Sequence, residues 1–315
     1  MSLFVVSALL PVVGLILAGL VLGRTGWVSP AWVRRLSSLS FMVLTPVLLF
    51  NTMRHVHVEQ LDPRPAVAYI TALALVFAGM LVWRGMNRSA VVLALGVTYS
   101  NAVMIGIPLV QLAWGDAGLV TLLTLIPIHS LVLLTAATVG LEFALAREQE
   151  GRSPVSAGHL ARVSGRALRK ALVHPVPLPI IAGLLYAQTG WGVVAPLEQV
   201  MQMMGKAFGP LALALVGIAL AGSSIGAQLR GALELAAIKN FVMPMLAAAL
   251  GWALGMQGIA LTVLAVTAAL PIGANVFIFS QRYGVAMPLI TASVAVSTLM
   301  ALFSVSLVML LAGAA

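Results

Sequence analysis

Apolar runs long enough to cross a bilayer follow one another along the whole chain, separated by short charged connectors. Their spacing predicts ten helices at roughly 3–22, 37–53, 66–83, 90–114, 118–144, 174–190, 207–226, 238–256, 259–281 and 286–312. Two runs carry polar and helix-breaking residues at mid-span. In the fourth, Tyr99-Ser-Asn-Ala-Val-Met-Ile-Gly-Ile-Pro-Leu-Val-Gln111 places Asn101, Gly106 and Pro108 among apolar neighbours. In the ninth, Leu270-Pro-Ile-Gly-Ala-Asn-Val-Phe277 places Pro271, Gly273 and Asn275. Proline removes a backbone donor and clashes with the carbonyl four residues back, while glycine permits close approach, so breaks are expected near Gly106 and near Pro271. Backbone released from the helical ladder inside a bilayer must be packed in protein or line a wet cavity, which makes the paired breaks a pointer to a transport site.

Composition places the chain in the membrane throughout. Hydrophobic residues make up 61% and charged residues 8%, with a mean hydropathy of +1.09, against a charged fraction of about 25% in soluble domains. The formal charge of +9 would indicate nucleic acid in a soluble protein, but here the basic residues fall in connectors, where topology explains them. All Lys and Arg except Arg54, Arg64 and Lys206 are assigned to the odd connectors, Lys239 among them. The positive-inside rule then puts those connectors in the cytoplasm and both termini outside, which in the prokaryotic inner membrane expected for this chain is the periplasm. The first run carries its charge on its far side, at Arg24, and reads as a retained helix and not as a signal peptide. The absence of cysteine excludes disulfides and thiolate metal sites, and no cofactor is expected.

The longest connector, 146–173, carries Arg162, Arg166, Arg169 and Lys170 at helical spacing, which fits an interfacial helix on an anionic leaflet or a solvated charged loop. It divides the chain into five-helix halves at 1–145 and 174–315. Pro11, Pro46 and Pro108 recur as Pro175, Pro210 and Pro271 at an offset of 163–164 residues. With five spans between their starts, the halves enter from opposite sides, so the repeat is inverted. The fold class expected is an all-α polytopic membrane protein of ten helices in two inverted five-helix repeats.

Taken in order, several stretches resemble the auxin efflux carrier family, which includes plant auxin exporters and bacterial carriers of small carboxylates. They are Leu10-Pro11 with the small-residue face from Gly14 to Gly23, Ser29-Pro30, Phe41-Met-Val-Leu-Thr-Pro-Val-Leu-Leu-Phe50, and Asn101 to Pro108. Gly205-Lys-Ala-Phe-Gly-Pro-Leu-Ala-Leu213 and Ala269-Leu-Pro271 leading to Gln281-Arg-Tyr-Gly284 complete the set. The resemblance implies a fold like that of sodium/proton antiporters and bile-acid symporters, with helices 4 and 9 broken and crossing at mid-membrane. It implies Pro108 and Pro271 as the crossing prolines and Asn101 as the substrate-facing asparagine. It also implies a dimerising scaffold of spans 1, 2, 6 and 7, with spans 3–5 and 8–10 as the moving transport domain. One departure is His174-Pro175, where the family commonly has Asn-Pro.

The candidate substrate-binding residues are Asn101, Ile105, Gly106, Pro108, Pro271, Gly273, Asn275 and His129. Broken helices offer unpaired N–H groups and positive dipole ends, so a small organic anion could be held with no basic side chain nearby. Asn101 and Asn275 either contact that anion or cap the broken backbone. His129 is a proton relay or a neutral, satisfied histidine. No acidic residue lies deep in any span, which leaves an uncoupled uniporter and a proton symporter both open. The expected function is transport of small carboxylates by a homodimer in the bilayer, with a ligand sensor that does not transport as the alternative.

Overall fold

The computed structural model describes residues 3–56, 61–148, 176–222 and 226–313, together with Gly158 and Gly165. His57, the basic connector helix expected around Arg162 to Lys170, and His174-Pro175 lie outside the described residues.

The described residues form helices without a strand: α1 (Leu3–Thr25), α2 (Pro30–Leu39), α3 (Thr45–Met53), α4 (Arg64–Arg84), α5 (Arg88–Thr98), α6 (Ile107–Glu148, two helical segments joined across a kink at Gly115, φ 59° and ψ −146°), α7 (Pro177–Ala187), α8 (Ala195–Ala221), α9 (Leu229–Ala237), α10 (Met243–Ala253), α11 (Gly258–Ala269), α12 (Asn275–Tyr283) and α13 (Met287–Gly313). Six helical stretches are long and apolar enough to span a membrane, and four shorter apolar helices accompany them. Large apolar side chains point outward, with Val82 86%, Trp252 74% and Met245 72% exposed, the inverse of a water-soluble surface. Trp27, Trp83, Trp191 and Trp252 are exposed at or beside helix ends, where an interfacial aromatic belt belongs.

Several boundaries are written in local chemistry. Ser29 caps α2, its Oγ accepting Trp32 N at 3.4 Å with Pro30 at the first helical position. Asn87 caps α5 through Oδ1, 2.8 Å from Ala90 N. Ahead of α4, Asp62 accepts the backbone N–H and guanidinium of Arg64, and this side-chain hydrogen bond holds its carboxyl below the usual range. Gly284 ends α12 in the left-handed conformation at φ 67°. Val285 N bonds Ser280 O there, and Gly284 N bonds Gln281 O, the pair of contacts that satisfies the last carbonyls of a Schellman end.

Three prolines dictate a shared distortion. Pro46, Pro108 and Pro244 each follow by two residues the end of a π turn, at Ser40–Leu44, Ala102–Gly106 and Ile238–Val242. A proline in a helix has no N–H to give and would press on the carbonyl four residues back; widening the preceding turn relieves both. The prolines paired by sequence offset do not share this geometry, since Pro210 lies inside the continuous α8 and Pro271 in extended chain.

Packing follows small residues. The α1–α8 contact is the closest, because a Cβ on Gly217 would overlap the Ile16 carbonyl oxygen, and one on Gly19 would overlap that of Ala214. α3 packs on α7 and α8, α4 on α5 and α10, α9 on α13, and α10 on α11. One apolar core joins α1, α3, the start of α6, α7 and α8, and a second joins α4, α5, α10, α12 and later residues of α6.

Three expectations are corrected. The eighth run begins at Leu229, not at 238, because Arg230 and Glu234 lower its apparent hydropathy while Glu234 is neutralised by Arg84. Lys239, assigned above to a connector, is consequently inside the bundle and fully buried. The fourth run does break, but at Tyr99–Asn101 and not at Gly106, which the π turn keeps helical.

Candidate functional site

The two interrupted segments meet in antiparallel register. Asn101 N donates to Pro271 O at 2.8 Å and Gly273 N to Tyr99 O at 2.9 Å, which pairs Ser100 with Ile272. A few residues of extended chain thus satisfy each other where neither helix can. Side chains complete the satisfaction. Tyr69 Oη and Ser100 Oγ are 3.0 Å apart, Ser100 Oγ donates to Thr267 O at 2.8 Å, and Ser297 Oγ accepts Ile272 N at 3.0 Å. Gly273 is required by contact, since a Cβ there would stand 2.7 Å from Tyr99 Cδ1 and 3.1 Å from Ser100 O.

Four helix ends converge on this crossing. α5 and α11 arrive with their carbonyl ends, at Thr98 and Ala269; the turn at Ala102 and α12 at Asn275 leave with their N–H ends. Between them lies a cavity of about 70 Å³, room for about five waters at the volume one water needs and hence for a small carboxylate. Asn101 to Met104 and Gly273 to Asn275 line it from the two N–H ends. Tyr99, His129, Ser130, Phe41 and Val176 complete the wall.

The asparagines do not act as side-chain caps. Asn101 makes no side-chain cap bond; its backbone oxygen accepts Ile105 N at 3.3 Å and Gly106 N at 3.2 Å. Asn275 gives Nδ2 to Tyr99 Oη at 2.7 Å, and Tyr99 Oη is 3.1 Å from Ser130 Oγ. His129 is 1% exposed, and among the described residues neither ring nitrogen has a hydrogen-bond partner. Its ring lies 4.5 Å from that of Tyr99. A buried imidazole with no hydrogen bond is costly, and here it borders the polar cavity at the crossing.

Of the sequence-derived candidates, Asn101, His129, Gly273 and Asn275 are brought together around the polar cavity. The others form walls elsewhere. Ile105 and Pro271 border a separate apolar gap of about 20 Å³ with α1 and α13. Gly106 lets Leu270 approach, and Pro108 packs against Gly209 of α8. Sequence reasoning missed Tyr99, Ser100 and Ser130, although each adjoins or opens a stretch already singled out. It also missed Lys239 and Asn240, so the expectation that no basic side chain comes near the crossing is corrected. Lys239 Nζ donates to Ala268 O at 2.5 Å and Asn240 Nδ2 to Ala269 O at 2.9 Å.

A second, larger cavity of about 520 Å³ lies further along α6, where it is lined by Gln111 and Asp116 together with Asn51, Thr52 and His55 from α3 and its end and Gln202 and Lys206 of α8. Beside it Arg54 is held by Glu198 at 2.5 Å and by Asn51 Oδ1 at 2.9 Å. Along α6 the two linings are separated by roughly 10 Å of helical rise. Ile107 and Leu109 in that interval, and Phe208 of α8, are buried in the first apolar core.

Interrupted helices crossing around a pocket lined by backbone ends and amides, inside a bundle with an apolar exterior, define a polytopic membrane protein. The chain matches the family described as membrane transport protein over residues 4–309, and it belongs to that family, the auxin efflux carriers. A relative from Rhizobium meliloti (strain 1021), named "Putative malonate transporter", is 24% identical over 320 residues, covering 96% of this chain and 94% of that protein.

Gly273→Val is expected to force the crossing apart, at a cost of about 1–3 kcal/mol for overpacking. Gly79→Val, where a Cβ meets nothing within 4 Å, is the control. Melting in detergent checks it: equal stability of the two variants would mean the segments are not held against each other.

Proposed function

We propose that the protein transports small carboxylates, with malonate the first candidate, and binds them between the N–H ends at Ala102 and Asn275. The observation that carries the reading is the cavity at the crossing, where His129 is buried without a partner and the Asn101 amide is not used for capping. Membership of a transport family and the relative's printed name support the substrate class. The anion replaces water on the first N–H groups of two half-helices, and the Asn101 and Asn275 amides orient it. Of the sequence candidates, Ile105, Gly106, Pro108 and Pro271 contribute by shaping the crossing and not by contact.

Transport follows if the site faces the two sides of the membrane in turn. Ten spans in two inverted repeats, with spans 1, 2, 6 and 7 as a dimerising scaffold and the rest as the moving part, is the arrangement we infer. The α1–α8 and α3–α7 pairings and the second cavity beyond the Ile107–Phe208 seal support it. A sensor would bind without exchange.

Counterflow of labelled malonate in proteoliposomes separates these readings. Asn101→Ala is expected to weaken malonate by a factor of about ten to a hundred, the loss of one hydrogen bond to a charged group. Lys206→Ala, at the second cavity, is expected to cost little. Binding without counterflow would leave a sensor, and normal exchange by Asn101→Ala would place the site elsewhere.

The orientation inferred from the connectors, both termini periplasmic, survives the burial of Lys239 because the remaining charge bias is still strong. A C-terminal alkaline phosphatase fusion is expected to be active; an inactive phosphatase with a fluorescent C-terminal reporter would reverse it.

A further inference from the structure

Lys239 is fully buried, on the π turn Ile238–Val242 between α9 and α10. Among the described residues no carboxylate pairs with it: Glu234, on the preceding α9, is paired with Arg84, Glu198 with Arg54, and Asp62 with Arg64. An ammonium taken out of water without a counter-ion is costly enough that something must compensate. What faces it is the carbonyl end of α11. Nζ donates to Ala268 O at 2.5 Å, and the next side chain, Asn240, donates Nδ2 to Ala269 O at 2.9 Å. Ser304 Oγ adds a third donor, 3.3 Å from Ala269 O. Successive residues of a regular helix point about 100° apart. The widened turn lets Lys239 and Asn240 address successive carbonyls of one helix end.

Carbonyls at the end of a broken membrane helix, carrying the negative pole of its dipole, are what a sodium ion would coordinate in a cation-coupled carrier. Here a lysine Nζ is tethered to them. It also changes the balance of the crossing. Of the four converging ends two are positive and two negative, and Lys239 offsets the negative end at Ala269. The positive ends at Ala102 and Asn275 are then left in excess, facing the cavity.

We propose that Lys239 is a resident counter-cation: it occupies the position a co-transported cation would otherwise fill, so that the crossing accepts an anion without sodium. This rests on the anion-site reading above. Lys239 is a positioning residue, acting through the end of α11 and the field at the cavity, and it travels with the crossing when the site changes sides.

The test uses the full chain, with labelled malonate as probe, in sodium and in choline buffers. Wild type is expected to exchange malonate equally in both. Lys239→Met is expected to weaken malonate about tenfold or more, with Lys239→Arg restoring part of the loss. A transport-independent arm follows melting in detergent: wild type is expected to melt alike in both salts, while Lys239→Ala melts lower and regains stability in sodium. The proposal is overturned if wild type needs sodium for exchange or is stabilised by it, or if Lys239→Met keeps wild-type affinity. It is also overturned if sodium fails to stabilise Lys239→Ala. Absence of carboxylate exchange by wild type in either salt would instead remove the anion-site reading, and the melting arm would still decide whether Lys239 stands for a cation.

Discussion

Two backbone hydrogen bonds, Asn101 N to Pro271 O and Gly273 N to Tyr99 O, are the constraint on which the rest of the structure depends. Each interrupted segment would be untenable alone in hydrocarbon, where an unpaired peptide group costs several kcal/mol. Placed against each other they are satisfied, and only in that register. The requirement brings four helix ends to one point in the bundle. It also explains the small hydroxyls there, Ser100, Ser297 and Ser304, each of which bonds backbone belonging to or bordering the crossing.

Charge at the crossing is distributed in the same economical way. Two helix ends offer N–H groups to the cavity, while the carbonyl end of α11 is closed by Lys239, Asn240 and Ser304. In the proposed reading such a site needs no charged side chain in direct contact with its ligand, and size and amide geometry would set its selectivity. Among the described residues His129 is a polar group of the wall whose ring nitrogens are left without a partner.

Much of this was legible in the sequence. The two polar interruptions announce the crossing, because asparagine, glycine and proline clustered within a few residues of an apolar run release backbone groups that must find partners inside the bundle. Asn101, Gly273, Asn275 and His129 could be picked out one by one. Other features were hidden for definable reasons. The break precedes Pro108 because a π turn absorbs the proline locally, and no periodicity distinguishes that turn from an ordinary helix. Tyr99 and Ser130 look like unremarkable span residues until the fold brings them to Asn275. Lys239 was misassigned because a lone lysine near the edge of an apolar run reads as a connector. Its place became visible only when Glu234 was found neutralised and the helix extended back to Leu229.

The chain contains no cysteine, which allows the crossing to be probed directly. A single cysteine at Ala274, exposed and lining the cavity, can be reacted with a maleimide in membranes with and without malonate, beside a second single-cysteine variant at Lys206. The expected result is saturable protection at Ala274→Cys and none at Lys206→Cys. Protection at Lys206→Cys alone, with Ala274→Cys labelled at an unchanged rate, would contradict the crossing as the anion site.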